Sequence, residues 1–141
     1  MITMIKKIPA SELLIDWDSR QFGVWLRNFR FVYARLYRYG YLHISGANVY
    51  RSKHTGHYHI ILYYSGVAIP LVRSYYQALF RSDVKKELYY YIEGSNCLFE
   101  VKRKRDAKSV YEFDVSMSRR LTRHITKINQ FKQYQLKIYE I

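Results

Sequence analysis

Two stretches of this 141-residue chain, Tyr41–Tyr50 and His57–Tyr64, are rich in β-branched and aromatic residues. Such side chains favour a pleated strand, where they pack against cross-strand neighbours. The segment between them, Arg51–Gly56, is polar and turn-like, so the pair predicts an antiparallel hairpin. Upstream, Leu13–Trp17 is short and apolar and reads as a first strand. Asp18 or Ser19 then caps a helix running to about Tyr39, with Gly40 placed to end it. At 100° per residue Phe22, Trp25, Leu26, Phe29, Val32, Tyr33 and Leu36 fall on one side of that helix. Arg20, Arg27 and Arg38 fall opposite, flanked by Arg30 and Arg35; Gly23 is the one residue out of keeping.

Downstream, a helical stretch follows Pro70, breaks near Ser82–Asp83 and resumes to about Ile92. Gly94-Ser95-Asn96 is punctuation. Cys97–Lys102 and Ser109–Val115 predict a second hairpin whose tip carries Lys102, Arg103, Lys104, Arg105 and Lys108. Ser116 or Ser118 caps a last helix to about Phe131. Leu121, Ile125, Ile128 and Phe131 form its apolar stripe, while Arg119, Arg120, Arg123 and Lys127 gather on its other side. The order β-α-β-β-α-β-β-α predicts an α+β fold, an antiparallel or mixed sheet with helices packed on it. With no repeat or linker, residues 1–141 read as a single domain.

The charge narrows the function. Lys and Arg number 24 against 11 Asp and Glu, a net charge of +13, while hydrophobic residues make up 49%. That apolar content excludes a disordered basic tail, and the charge surplus calls for a polyanion partner. Aromatics reach 18%, with 16 tyrosines, and rings interleaved with cations suit single-stranded nucleic acid, whose bases stack while its phosphates pair. Cys97 is the only cysteine. A disulfide framework and a Cys-rich zinc site are therefore excluded, and a reducing, cytoplasmic compartment is expected. Apolar runs such as Ile60–Tyr64 fall far short of the ~20 residues of a membrane helix. Lys6, Lys7, Pro9 and Glu12 likewise break up any signal-peptide core in Met1–Leu14. A P-loop is absent, so no built-in ATPase is expected.

The segment His54-Thr55-Gly56-His57-Tyr58-His59-Ile60-Ile61-Leu62 carries the chemistry. Residues i and i+2 of a strand share a face, so His57 and His59 stand side by side and can hold one divalent cation. In the preceding strand Tyr41, His43 and Ser45 share a face, making His43 the candidate third ligand. Asn48, His54 and Asp16 are the substitutes.

Gly56-His57-Tyr58-His59-Ile60-Ile61-Leu62 resembles the H-hydrophobic-H motif of the HUH endonuclease superfamily, which includes rolling-circle replication initiators, relaxases and single-strand transposases. The order of elements is also similar over most of the chain. The resemblance implies a five-stranded antiparallel sheet flanked by helices, with Mg²⁺ or Mn²⁺ bound by His57, His59 and a third polar residue. It implies that a tyrosine attacks the scissile phosphate and stays attached to the 5′ end of the cut strand. In Arg120-Leu121-Thr122-Arg123, Arg120 stands where the family's helix carries that tyrosine. A Y-x-x-K pattern occurs later, as Tyr134-Gln135-Leu136-Lys137. Tyr134 is therefore the expected nucleophile, assisted by Lys137, with Tyr111 and Tyr89-Tyr90-Tyr91 as other candidates. The implied partners are single-stranded DNA or an origin hairpin of a virus or plasmid, a second copy of the chain, and a host helicase or polymerase. Lys102, Arg103, Lys104, Arg105, Lys108, Arg119, Arg120, Arg123 and Lys127 are the expected DNA contacts.

Two other readings compete. One is a basic DNA-binding protein on the same fold that cuts nothing. The other rests on His43-Ile44-Ser45 and His124-Ile125-Thr126, which resemble the paired motifs of 2H phosphoesterases acting on RNA ends. That chemistry needs both histidines on adjacent strands, as acid and base about one phosphate.

Overall fold

The computed structural model describes residues 2–7, 12–65, 70–83, 97–101 and 111–132. In chain order they form β1 (Ile2–Lys7), β2 (Glu12–Trp17), α1 (Phe22–Arg38), β3 (Ile44–Ser52) and β4 (Tyr58–Tyr64), followed by α2 (Pro70–Leu79), β5 (Cys97–Val101), β6 (Tyr111–Phe113) and α3 (Val115–Asn129). The expected α+β class holds, with an antiparallel sheet ordered β2-β4-β3-β6. β4 is its middle: it is paired along both edges, and all its residues but Tyr63 are buried.

One face of this sheet meets the helices. Leu13, Ile15, Ile44, Val49, Ile60 and Leu62 pack with the apolar stripes of α1 and α3 in one core. On α1 that stripe is a ladder of rings: Trp25 stacks on Phe29 at 5.0 Å, and Phe29 on Tyr33 at 5.4 Å. Offset rings spaced this way add stability beyond their buried area. Trp25 also donates its indole N–H to the Phe80 carbonyl, 2.7 Å away, tying α1 to the end of α2.

The outer edge of β2 is closed by side chains and a loop. The Leu14 N–H donates to Gln77 Oε1 at 2.9 Å and the Asp16 N–H to Ser82 Oγ at 3.0 Å. Arg73 donates to the Glu12 carbonyl at 2.8 Å, and the Asp83 N–H to the Asp16 carbonyl at 2.7 Å. A strand edge treated this way has few backbone groups left for another strand.

Several boundaries and pairings differ from the sequence reading. α1 starts at Phe22 behind Gln21, which makes no side-chain cap bond, so neither Asp18 nor Ser19 caps it. α3 is capped by Asp114, whose carboxylate accepts from the Met117 N–H at 2.9 Å. Ser118 is buried inside that helix, where its hydroxyl accepts from the Val49 N–H at 2.9 Å. Phe131 lies beyond the helix and is 63% exposed, so it leaves the apolar stripe. β1 was not foreseen, and it pairs antiparallel with β5 in a separate two-stranded sheet. The expected second hairpin is therefore not made among the described residues: β5 joins β1, while β6 joins β3 at Tyr50–Ser52. Among the described residues four strands, rather than five, share one sheet, and the β1–β5 pair stands apart. Continuation of α2 to Ile92 and the basic tip at 102–108 lie outside the described residues.

A buried polar knot fastens the layers together. Tyr33 Oη accepts from the Ile44 N–H at 2.8 Å and donates to Asn129 Oδ1 at 2.5 Å. Asn129 Nδ2 in turn donates to the Ile44 carbonyl at 2.8 Å. Burial pushes the Tyr33 phenol up to about 12, because no water solvates its anion. Tyr33→Phe removes one partner and leaves the others buried, which should cost about 1–3 kcal/mol in urea unfolding. The unfolded phenol ionises near its ordinary value of about 10, whereas the folded one holds its proton. Native stability should therefore fall as pH rises through about 10 to 12, and Tyr33→Phe should remove that part of the alkaline loss.

Candidate functional site

The β2–β4 register sets Asp16 directly opposite His59. His59 Nε2 lies 3.4 Å from Asp16 Oδ1, and the imidazole is buried. Two residues further out the pattern repeats, with His57 Nδ1 against Asp18 Oδ1. The end of the sheet thus carries two His–carboxylate pairs, one between β2 and β4 and one between the residues just beyond them. From the other side β3 places Tyr50 opposite His59, and β6 brings Tyr111 to stack on the imidazole, ring centroids 3.7 Å apart and planes 19° from parallel. Phe113 meets Tyr50 edge-on at 5.6 Å. A carboxylate therefore fixes the ring of His59 at its edge, and an aromatic wall covers its face.

The turn between β3 and β4 holds His57 in place. Ser52 Oγ accepts from the N–H groups of His54 and Thr55 at 3.3 and 3.2 Å. Gly56 sits at φ +73°, in the left-handed region, where a Cβ would also come within 3.1 Å of the Arg20 side chain. Arg20 Nε donates to the Thr55 carbonyl at 2.6 Å and clamps the turn from the α1 side. His57 itself precedes the first residue of β4, and its carbonyl still accepts from the Ser52 N–H at 2.8 Å.

His43 is not part of this group. It precedes β3, and its Nδ1 is 3.2 Å from Ser65 Oγ, beyond the far end of β4. At about 3.3 Å per residue it lies roughly 20 Å from the His59 end of the sheet. Antiparallel strands separate residues that share a face but not a level, and His43 as third ligand fails for that reason. Of the substitutes, Asn48 is engaged with the Tyr63 hydroxyl at 2.9 Å, and only Asp16 meets His59. Among the described residues, no three His, Cys, Asp or Glu side chains converge on one point. Asp18 was overlooked, having been read as a helix cap. The signal was present, since Asp16-x-Asp18 mirrors His57-x-His59 across an antiparallel pair. Tyr134, Lys137, Tyr89–Tyr91, Lys102, Arg103, Lys104, Arg105 and Lys108 lie outside the described residues.

Arg119, Arg120, Arg123 and Lys127 are all exposed on α3. Arg119 and Arg123, with Asn48, Phe113, Ser116 and Thr122, line an open groove of about 990 Å³ beside β3 and α3. His124 is half-buried on α3, and burial together with Arg30, Lys127, Arg120 and Arg123 pushes its imidazole below the usual range. The adjacent-strand pair of a 2H phosphoesterase is therefore missing, because His124 belongs to a helix and His43 precedes β3.

Neither the protein-family models nor the curated proteins nor the solved structures compared with this chain give a match. No helix among the described residues is long and apolar enough to cross a membrane.

The Tyr111 stack yields a direct test of this geometry. Carbethoxylation mapped by mass spectrometry should modify His43, which is exposed, rapidly and His59 slowly. Tyr111→Ala should speed His59 several-fold and leave the His43 rate unchanged.

Proposed function

We propose that this chain binds a single DNA strand and nicks and rejoins it, in replication initiation or mobilisation of a virus or plasmid. The observation that carries the reading is the pair of His–carboxylate couples at one end of the sheet, His59 with Asp16 and His57 with Asp18. A catalytic divalent cation fits His59 and Asp16 as a two-ligand site. Mg²⁺ commonly takes only one or two protein ligands and fills the remaining positions with waters and phosphate oxygens. When bound there, Mg²⁺ or Mn²⁺ supplies Lewis-acid stabilisation of charge on the scissile phosphate. The Tyr111 ring, stacked on the imidazole, limits the rotation of His59.

The cut is a transesterification. The tyrosine oxygen bonds to phosphorus, the P–O3′ bond breaks, and the 3′ oxygen leaves with a proton, so the phosphodiester energy is kept for rejoining. Tyr134 with Lys137 assisting is the proposed nucleophile, and Tyr111 is its rival because it already touches His59. Labelled single-stranded DNA with Mn²⁺ should yield a covalent adduct that Tyr134→Phe abolishes. An adduct that survives this change and is lost in Tyr111→Phe transfers the role to Tyr111. If no oligonucleotide or origin-like hairpin is ever cut, the reading falls. Calorimetry should show Mn²⁺ binding weakened at least about tenfold by His59→Ala or Asp16→Ala, the range seen when ligand shells are disrupted.

A second reading, a DNA-binding protein without cutting activity, is favoured by a different observation. α1 and α3 together carry seven arginines and one lysine, and no Asp or Glu. It predicts salt-sensitive binding indifferent to His57→Ala and His59→Ala.

A further inference from the structure

α1 and α3 lie side by side on the same face of the sheet and run in the same direction. Arg30 acts on His124, and further along Tyr33 and Tyr37 both bond to Asn129, the latter through its hydroxyl and the Asn129 carbonyl at 2.7 Å. Their apolar stripes are spent on the core, so the outer face holds what is left. That remainder is Arg27, Arg30, Arg35 and Arg38 from α1 and Arg119, Arg120, Arg123 and Lys127 from α3, all exposed. Exposed rings accompany them: Phe31 lies under Arg35, whose guanidinium carbon is 3.7 Å from the ring centroid, and Tyr39 and Phe131 follow the two helix ends.

This face suits one kind of partner. Neither helix has an apolar stripe free to enter a lipid layer. Cations interleaved with exposed rings are what a nucleic-acid strand uses, phosphates on the former and bases on the latter. In the middle sits His124, half-buried, with Arg30 of α1 and Arg120, Arg123 and Lys127 of α3 as the charges that act on it and no carboxylate among them. Burial first and then these four cations disfavour protonation of the imidazole, and a phosphate brought among them offsets the cations.

We propose that the outer face of α1 and α3 is a nucleic-acid backbone surface on which His124 contacts a phosphate and takes up a proton from solvent as it does so. The inference rests on the DNA-binding part of the reading above and is independent of strand cutting. It makes affinity rise as pH falls, by up to about one log unit per pH unit for one linked proton.

The test uses the full chain and a fluorescein-labelled oligothymidylate, with anisotropy read across about pH 5.5 to 8, where imidazoles titrate. Wild type should tighten on acidification, and His124→Gln should lose that part of the slope. His124→Lys, cationic throughout, should bind tightly at all pH values with the same slope missing. Arg30→Ala and Arg120→Ala should each weaken binding and lower the log–log salt slope by about 0.7. Circular dichroism of each variant separates these effects from unfolding. An unchanged pH slope in both His124 variants overturns the proton linkage, and unchanged salt slopes in the arginine variants overturn the surface. If the linkage appears while no adduct ever forms, only strand cutting fails. If adducts form while the linkage is missing, only this inference fails.

Discussion

The register of β4 between its two neighbours decides what this sheet can do. Side chains alternate along a strand, so a slip of one residue would turn His59 into the helical core and Ile60 out of it. In the observed register Ile60 and Leu62 face the helices, while His59 and Ile61 face the other way. The same alignment puts Asp16 at His59 and Tyr50 beyond it. The apolar residues of β4, buried on both sides, thereby fix the position of a polar group they never touch. Core packing and site geometry are one constraint in this strand.

The two parts of the surface differ in chemistry. The helical side is closed and rich in stacked rings, and its outer surface carries arginines and a lysine with no Asp or Glu on α1 or α3. The end of the sheet near the β3–β4 turn gathers His57 and His59, their carboxylates and the Tyr111 ring. In the function proposed above, a long polyanion held by the first presents a phosphate to the second along the groove beside β3 and α3. Such a division keeps weak, salt-dependent grip separate from the few groups whose placement must be tight.

Much of this was legible in the residues. α1 was visible because its aromatic spacing leaves one side free of arginine, and the β3–β4 hairpin because a polar turn divides two apolar runs. Strand alternation sets His57 and His59 on one face only if both lie in the strand, and β4 begins at Tyr58, one residue after His57. What failed was position along and between strands. His43 stands just before the strand whose residues face His59, but one step back along β3 is one step forward along β4, so it meets Ser65 instead. Ser118 has the composition of a cap, yet tertiary packing uses its hydroxyl to hold the edge of β3 while Asp114 caps the helix. The β1–β5 pairing joins residues some ninety positions apart, and nothing local in either segment announces the other.

The stoppered margin of β2 has one more effect. Gln77, Ser82 and Arg73 occupy positions where a strand from another molecule would otherwise dock. A ribbon can lengthen indefinitely only if both of its margins are adhesive. With the β2 margin sealed, the four-stranded sheet cannot be extended by a further strand on that side.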